Sequence, residues 1–240
     1  MPASSPVVIE RRFNGPRLSG NGGYVAGILA ARLGAPTVET LLRAPIPLDV
    51  PMTFAEEDGG WSRLREGDRL IAESRPIAAF DDAPPPPAAW DAVDAAARDG
   101  GCGPESDFHT CLVCGRGRAP GEGLRVWGGS VEPGRSLSLY RAHEAHADAD
   151  GRIAPEFLWG ALDCPGAWAA QDPDDWRPAL TGRMAGRVIE RPKAGERCQV
   201  VGWRIGVEGR KLFSGTALYG EDGRLCAEAR CTWIALKTDA

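Results

Sequence analysis

The 240-residue sequence predicts an α+β chain of two units, each an antiparallel sheet wrapped around a central helix. Three observations predict this. The order of strand, long apolar helix and several short strands occurs twice along the chain. The decapeptide EGDRLIAESR (66–75) returns as EDGRLCAEAR (221–230), with Glu, Arg, Leu, Ala, Glu and Arg in common, and a looser pair, RAP from Arg43 and ERP from Glu190, keeps the same order. A proline- and glycine-rich stretch divides the two copies. Matches at equivalent places in a repeated unit favour duplication.

The first unit spans residues 1–80. VVIERRF (Val7–Phe13) reads as a strand, and after the loop NGPRLSGNG the run GYVAGILAARL reads as a helix of about three turns. Its small residues Ala26, Gly27, Ala30 and Ala31 allow another backbone to pack close, and Gly34, Ala35 and Pro36 end it. TVETLLRAPIPLD, PMTFAEED, WSRLRE and DRLIAESRPIAAF follow as strands. Hairpin turns are expected at Asp58-Gly59-Gly60 and Glu66-Gly67-Asp68. Residues 81–106 have linker composition, with four consecutive prolines and a short helix expected over Ala88–Arg98. The second unit, 107–240, repeats the pattern. LRVWGGSV and RSLSLYRAHEA read as strands, and APEFLWGALDCPGAWAA as mostly helix. GRMAGRVIE, RCQVVGWRIGVEG, KLFSGTALYG and RLCAEARCTWIAL read as strands again.

Composition narrows the function classes. The chain is 43% hydrophobic and 25% charged, as ordinary globular proteins are. A net charge of −5 argues against a broad nucleic-acid or anionic-membrane surface, though not against a local basic pocket for a phosphorylated small molecule. MPASSPVVIERRF lacks the basic start and apolar run of a signal peptide, and no apolar stretch has the length of a membrane span. Seven cysteines spread over the chain suit reduced thiols, so the cytoplasm is the expected compartment.

NGGYVAGILA (21–30), CLVCG (111–115) and PEFLWGALDCPG (155–166), in this order, resemble the acyl-CoA thioesterase-like double-hotdog family. The resemblance covers nearly the whole chain apart from the linker. It implies the double-hotdog fold and hydrolysis of an acyl thioester without metal or redox cofactor. A non-catalytic acyl-thioester binding or scaffold protein, and a hydratase or dehydratase on the same fold, stay open as alternatives. A hydratase would pair a histidine with its acid, and neither candidate helix contains one.

Two places carry the chemistry. The glycines at 22 and 23 open a helix whose first N–H groups lack partners and sit at the positive end of the dipole. With no side chain in the way, these amides can receive a thioester oxygen as it becomes an oxyanion, the role the resemblance implies. Asn21 is equally a competent N-cap, which is the plain structural account of the motif. In the second helix Asp163 is the only carboxyl side chain after Glu156, among Phe157, Leu158, Leu162 and Trp168. Burial would raise its pKa and suit it to general-base activation of water. Direct attack on the thioester, capping of a turn restarted at Pro165 and a buried salt bridge are the other roles open to it. On a continuous helix Asp163 lies roughly 12 Å from Pro155. The other helix could supply the oxyanion site beside it if the halves pack as in a hotdog dimer, and because the first helix has no carboxylate between Gly22 and Gly34, one site per chain is the expectation.

TGRMAGRVIER, as a strand, puts Thr181, Arg183, Arg187 and Arg191 on one face. Thr181 is a candidate for orienting water, and the arginines suit either coenzyme A phosphates or a solvated face. Asn21, Tyr24 and Trp168 join Arg183 and Arg187 as candidate substrate contacts. Cys111 and Cys114 have zinc-ligand spacing, but no second C-x-x-C completes the set, so His109 and Cys102 would have to serve. Structural thiols, no metal and no cofactor are the expectation. His143 and His146 with Asp148 imitate a metal motif, yet on a strand they point to opposite faces and belong to the surface. The expected partner is an acyl-CoA or other acyl thioester, with neither nucleic acid nor membrane; an oligomer of such chains is left open.

Overall fold

Helix α1 (Gly22–Leu33) begins where Asn21 accepts the Tyr24 N–H on its side chain at 2.9 Å. It ends where Gly34 adopts φ 64°, a left-handed C-cap that glycine takes without a side-chain penalty. The computed structural model describes residues 6–57, 59–172 and 174–237. Strands β1 (Val38–Leu42), β2 (Thr53–Glu57), β3 (Trp61–Glu66) and β4 (Arg69–Pro76) follow α1. Gly59 (φ 83°), Gly60 (φ 73°) and Gly67 (φ 56°) turn the two hairpins; Asp58 lies outside the described residues. Helix α2 (Trp90–Asp99) stands in the linker. The second half supplies β5 (Trp127–Glu132), β6 (Arg135–Arg141), α3 (Pro155–Ala161) and α4 (Asp163–Ala170). It closes with β7 (Ala179–Val188), β8 (Arg197–Glu208), β9 (Lys211–Tyr219) and β10 (Leu225–Ala235).

Among the described residues the strands form one ten-stranded antiparallel sheet in the order β2-β3-β4-β1-β7-β10-β9-β8-β6-β5. The halves meet at β1 and β7, with Val38 opposite Gly186 and Leu41 opposite Arg183. The repeated decapeptides explain themselves here. β4 lies between β3 and β1 as β10 lies between β9 and β7, so the two copies occupy the same place in their halves. Helices α1, α3 and α4 pack on the inner face, over a core that includes Leu29, Leu64, Leu158, Leu162, Met184 and Leu212. The expected arrangement of two units, their strands joined in one sheet that wraps around the helices, is what the chain adopts.

Two expectations need correction. Val7–Phe13 is not a strand: Val7 makes an isolated bridge to Met52, and Arg11–Phe13 is a 3₁₀ turn that brings Phe13 onto the Tyr24 ring, centroids 4.4 Å apart. The second helix breaks at Leu162, because Pro165 has no N–H to give the Ala161 carbonyl. The Thr216 hydroxyl takes over the Leu162 carbonyl at 2.9 Å. The linker lies against the outer face of the sheet. Arg230 donates to the Asp82 carboxylate at 2.8 Å, the Tyr219 hydroxyl donates to the Pro85 carbonyl, and Ala88 and Gln199 exchange two hydrogen bonds. Among the described residues no helix is long and apolar enough to cross a membrane.

The halves approach closely where α1 meets α3. A Cβ on Gly27 would lie 2.6 Å from the Glu156 Cα, and one on Gly23 would lie 2.7 Å from the Trp159 carbonyl oxygen. Both obstacles are backbone, so neither can swing aside. Gly27→Ala should therefore destabilise the fold by about 1–3 kcal/mol from overpacking, outweighing the gain in helix propensity of about 1 kcal/mol. The check is the urea midpoint. An unchanged or higher midpoint would show that the helices separate at no cost.

Candidate active site

The break before α4 makes Asp163 the first residue of that helix, and the side chain points across the junction of the halves. Asn21 Nδ2 donates to Asp163 Oδ2 at 2.8 Å, and the Thr181 hydroxyl donates to Oδ1 at 2.8 Å. Asn21 holds two positions at once, since its Oδ1 caps α1 while its Nδ2 holds the acid. A Cβ on Gly23 would lie 2.7 Å from the Asp163 Cβ, so only glycine permits this contact. Asp163 is not a cap on the turn at Pro165; its oxygens are held from outside its own helix.

The carboxyl is 4% exposed. Burial pushes its pKa from 3.8 up to about 6, and the neighbouring Cys111 adds to the rise. Hydrogen bonds from Thr181 and Asn21 and the Gly23 amide oppose it. Asp163, Thr181, Asn21 and Gly22 line a cavity of about 630 Å³, whose other walls include Leu42, Ile46, Trp168, Trp176 and Trp233. Such a mostly apolar volume with a few convergent polar groups is how small-molecule sites are built. Gly22 is wedged there, for an added Cβ would meet Leu42 Cδ1 and Thr181 Cβ, each at 2.9 Å. As the first residue of α1, its N–H has no acceptor one turn back.

The remaining candidates divide between this cavity and other places. Trp168 lines it. Tyr24 does not: it is buried between Phe13 and Phe157, at centroid distances of 4.4 and 5.3 Å. Nor do Arg183 and Arg187 share a face with Thr181. Thr181 and Arg183 pair with the consecutive residues Trp233 and Thr232, leaving Gly182 as a bulge that breaks the alternation. Thr181 therefore turns inward, while Arg183 pairs with Glu39 and Arg187 with Glu228 on the outer face. Arg191 lies beyond the strand and binds Asp148 and Asp150. Arg43 is the cation on the cavity wall among the described residues, a residue the sequence analysis passed over. His146 is also not a surface strand residue. It is buried in a 3₁₀ turn, Glu144–His146, against Phe157, and burial followed by the neighbouring His143 pushes its pKa down to about 4.

No protein-family model and no curated protein sequence matches the chain. Among solved structures, the tesB protein of Mycobacterium avium subsp. paratuberculosis aligns over 91% of this chain and 88% of its own, with a TM-score of 0.58 at 12% identity. The chain has the double-hotdog fold. Zebrafish thioesterase superfamily member 2 aligns over 61% of this chain and 94% of its own, with a TM-score of 0.43 at 18% identity. In the double hotdog described above, Asn21, Gly22 and Gly23 come from the first unit and Asp163 and Thr181 from the second.

The buried carboxyl should be visible in the pH dependence of stability. The native state keeps the Asp163 proton to about pH 6, whereas the unfolded chain releases it near 3.8. Native stability is therefore lost as pH rises through that window, by about 3 kcal/mol in all. Asp163→Asn carries no such charge. Its stability relative to wild type should rise between pH 4 and 7 in urea titrations. A pH-independent difference would show that the carboxyl is not buried as an acid.

Proposed function

We propose that the chain is a thioester hydrolase acting on an acyl-CoA or acyl-carrier thioester, with one site per chain at the junction of the two hotdog units. The observation that carries this reading is the buried Asp163, held by Asn21 and Thr181 on the wall of the cavity beside the start of α1. Asn21, Thr181 and the Gly23 amide occupy three of the roughly four acceptor positions of the carboxylate, which leaves one free. With a pKa of about 6 it is ionised at neutral pH yet basic enough to take a proton from water. The water oxygen attacks the thioester carbon, its proton passes to Asp163, and the carbon–sulfur bond breaks with release of the thiolate, which recovers the proton. The Gly22 N–H, at the positive end of α1, receives the oxygen of the tetrahedral intermediate. Gly23 instead turns its amide to Asp163, so the glycine pair divides its work between intermediate and base. The apolar walls take the acyl chain. None of the three histidines lines the cavity, which favours hydrolysis over a hydratase that needs one beside its acid.

Free-thiol release from a panel of acyl-CoAs tests the reading. Wild type should release thiol with a kcat/KM that rises with pH through about 6. Asp163→Asn should stay folded and lose about 10²–10⁴-fold in rate. Full activity in folded Asp163→Asn would remove the acid from the mechanism. No thiol release, with a change in enoyl absorbance, would mark a hydratase, and binding without either signal would mark a non-catalytic protein.

A further inference from the structure

Four of the seven cysteines converge beside Asp163 from three separate parts of the chain. Cys111, Cys114 and Cys164 place their sulfurs within 4.8 Å of one another. Cys111 Sγ and Cys164 Sγ are 3.9 Å apart, and Cys114 Sγ lies 3.5 Å from Cys102 Sγ. Four sulfurs bound to one tetrahedral zinc at about 2.3 Å would be separated by about 3.8 Å; the Cys111–Cys164 and Cys102–Cys114 spacings match this, while Cys102 stands outside the group of three and must move inward to close the site.

The surrounding backbone is arranged for sulfur ligands. In the turn Cys111-Leu112-Val113-Cys114-Gly115, the Val113 N–H donates to Cys111 Sγ at 3.4 Å. Such a bond favours the thiolate over the thiol. The turn closes through the Gly115 N–H, which donates to the Cys111 carbonyl at 3.1 Å. A Cβ on Gly115 would lie 2.4 Å from the His109 carbonyl oxygen, so the turn admits only glycine. Cys102 is fixed on the same turn, donating its N–H to the Cys114 carbonyl at 2.9 Å and accepting from the Arg116 N–H at 3.0 Å. Cys164 arrives through the break at Leu162, which starts α4 with Asp163 and Cys164 side by side. Thiols serving only as small apolar fillers would require neither the aimed amide nor the contact between sulfurs from distant segments.

We propose that Cys102, Cys111, Cys114 and Cys164 bind one tetrahedral zinc ion, which ties the segment 102–115 to the helix that carries Asp163. This reverses the expectation of no metal. The ligand that a second C-x-x-C would have supplied comes from Cys164, Cys102 joins through its sulfur contact with Cys114 from outside the group of three, and His109 makes no such contact with the clustered sulfurs. A site closed by four protein ligands leaves no open position for water, so its role is structural. The ion positions Asp163 through its neighbour Cys164 and takes no part in the chemistry.

The test is metal content, read independently of any hydrolysis. Elemental analysis of protein made in zinc-containing medium should give about one zinc per chain. Cys111→Ser and Cys164→Ser should lose most of it, while Cys226→Ala, whose thiol lies elsewhere in the core, should keep it. Because a cysteine variant can fail through misfolding, wild type stripped by chelator and kept reduced should be titrated with cobalt(II). A thiolate-to-cobalt charge-transfer band with tetrahedral d–d absorption, displaced by zinc, is the expected result. Reduced, folded wild type that takes up neither cobalt nor zinc would overturn the proposal. So would undiminished zinc in folded Cys164→Ser, an iron chromophore in purified wild type, or disulfides among these four cysteines in protein kept reduced.

Discussion

Everything around the cavity depends on how closely α1 approaches α3. Gly23 and Gly27 lie one turn apart on the face of α1 that meets Trp159 and Glu156, and the absence of side chains there sets the separation of the helices. At that separation Asn21 reaches across the halves to Asp163, and the Gly23 amide faces the same carboxyl. A buried carboxylate is tolerable only when donors surround it. Here two side chains and a helix start supply them, one from each half and the third from α1. Close packing and the electrostatics of the acid are one constraint seen from two sides.

The outer face of the sheet has its own charged order. Glu39, near the seam, is shared by Arg75 of β4 and Arg183 of β7. Burial works to raise its pKa, but the hydrogen bond from Arg183, followed by that from Arg75, carries it below the usual carboxylate range. Glu228 is wholly buried beneath the linker, bound by Arg187 and Arg230, with Phe80 over both guanidinium groups. Ion pairs of this sort add little net stability, because desolvation opposes the attraction. Their contribution is register, since a slip of one residue at β1–β7 or β7–β10 would separate every partner.

The sequence carried the outline of this molecule well. The N-cap at Asn21, the glycine stop at Gly34, the hairpin glycine at Gly67 and the repeated decapeptides are local signals, and each stands where it was expected. Asp163 was legible too, because a lone acid in an apolar helix is conspicuous. What stayed hidden depended on contacts between distant residues. The bulge at Gly182 reverses which face Thr181 shares with its neighbours, and period-two alternation cannot foresee it. The break at Leu162 was signalled by Pro165, but nothing local said that it would swing Cys164 towards Cys111. Val7–Phe13 had strand composition without a neighbouring strand to pair along its length. The linker had the composition of a spacer, and only the partners it finds on β8, β9 and β10 make it a strap.

That strap limits how the sheet can extend or stack. Residues 82–88 cross β10, β9 and β8, and α2 continues over β6 and β5, so the outer face of the second half cannot lie flat against another sheet. New strands could join only at the two ends, β2 and β5. At one end β2 offers five residues and the acidic pair Glu56 and Glu57, a short charged edge of the kind that resists pairing. At the other, the Gly101 N–H is bound to the Gly128 carbonyl of β5, so backbone following α2 already occupies part of that edge. A segment with the composition of a tether thus serves as a fence, holding a ten-stranded sheet to a finite width.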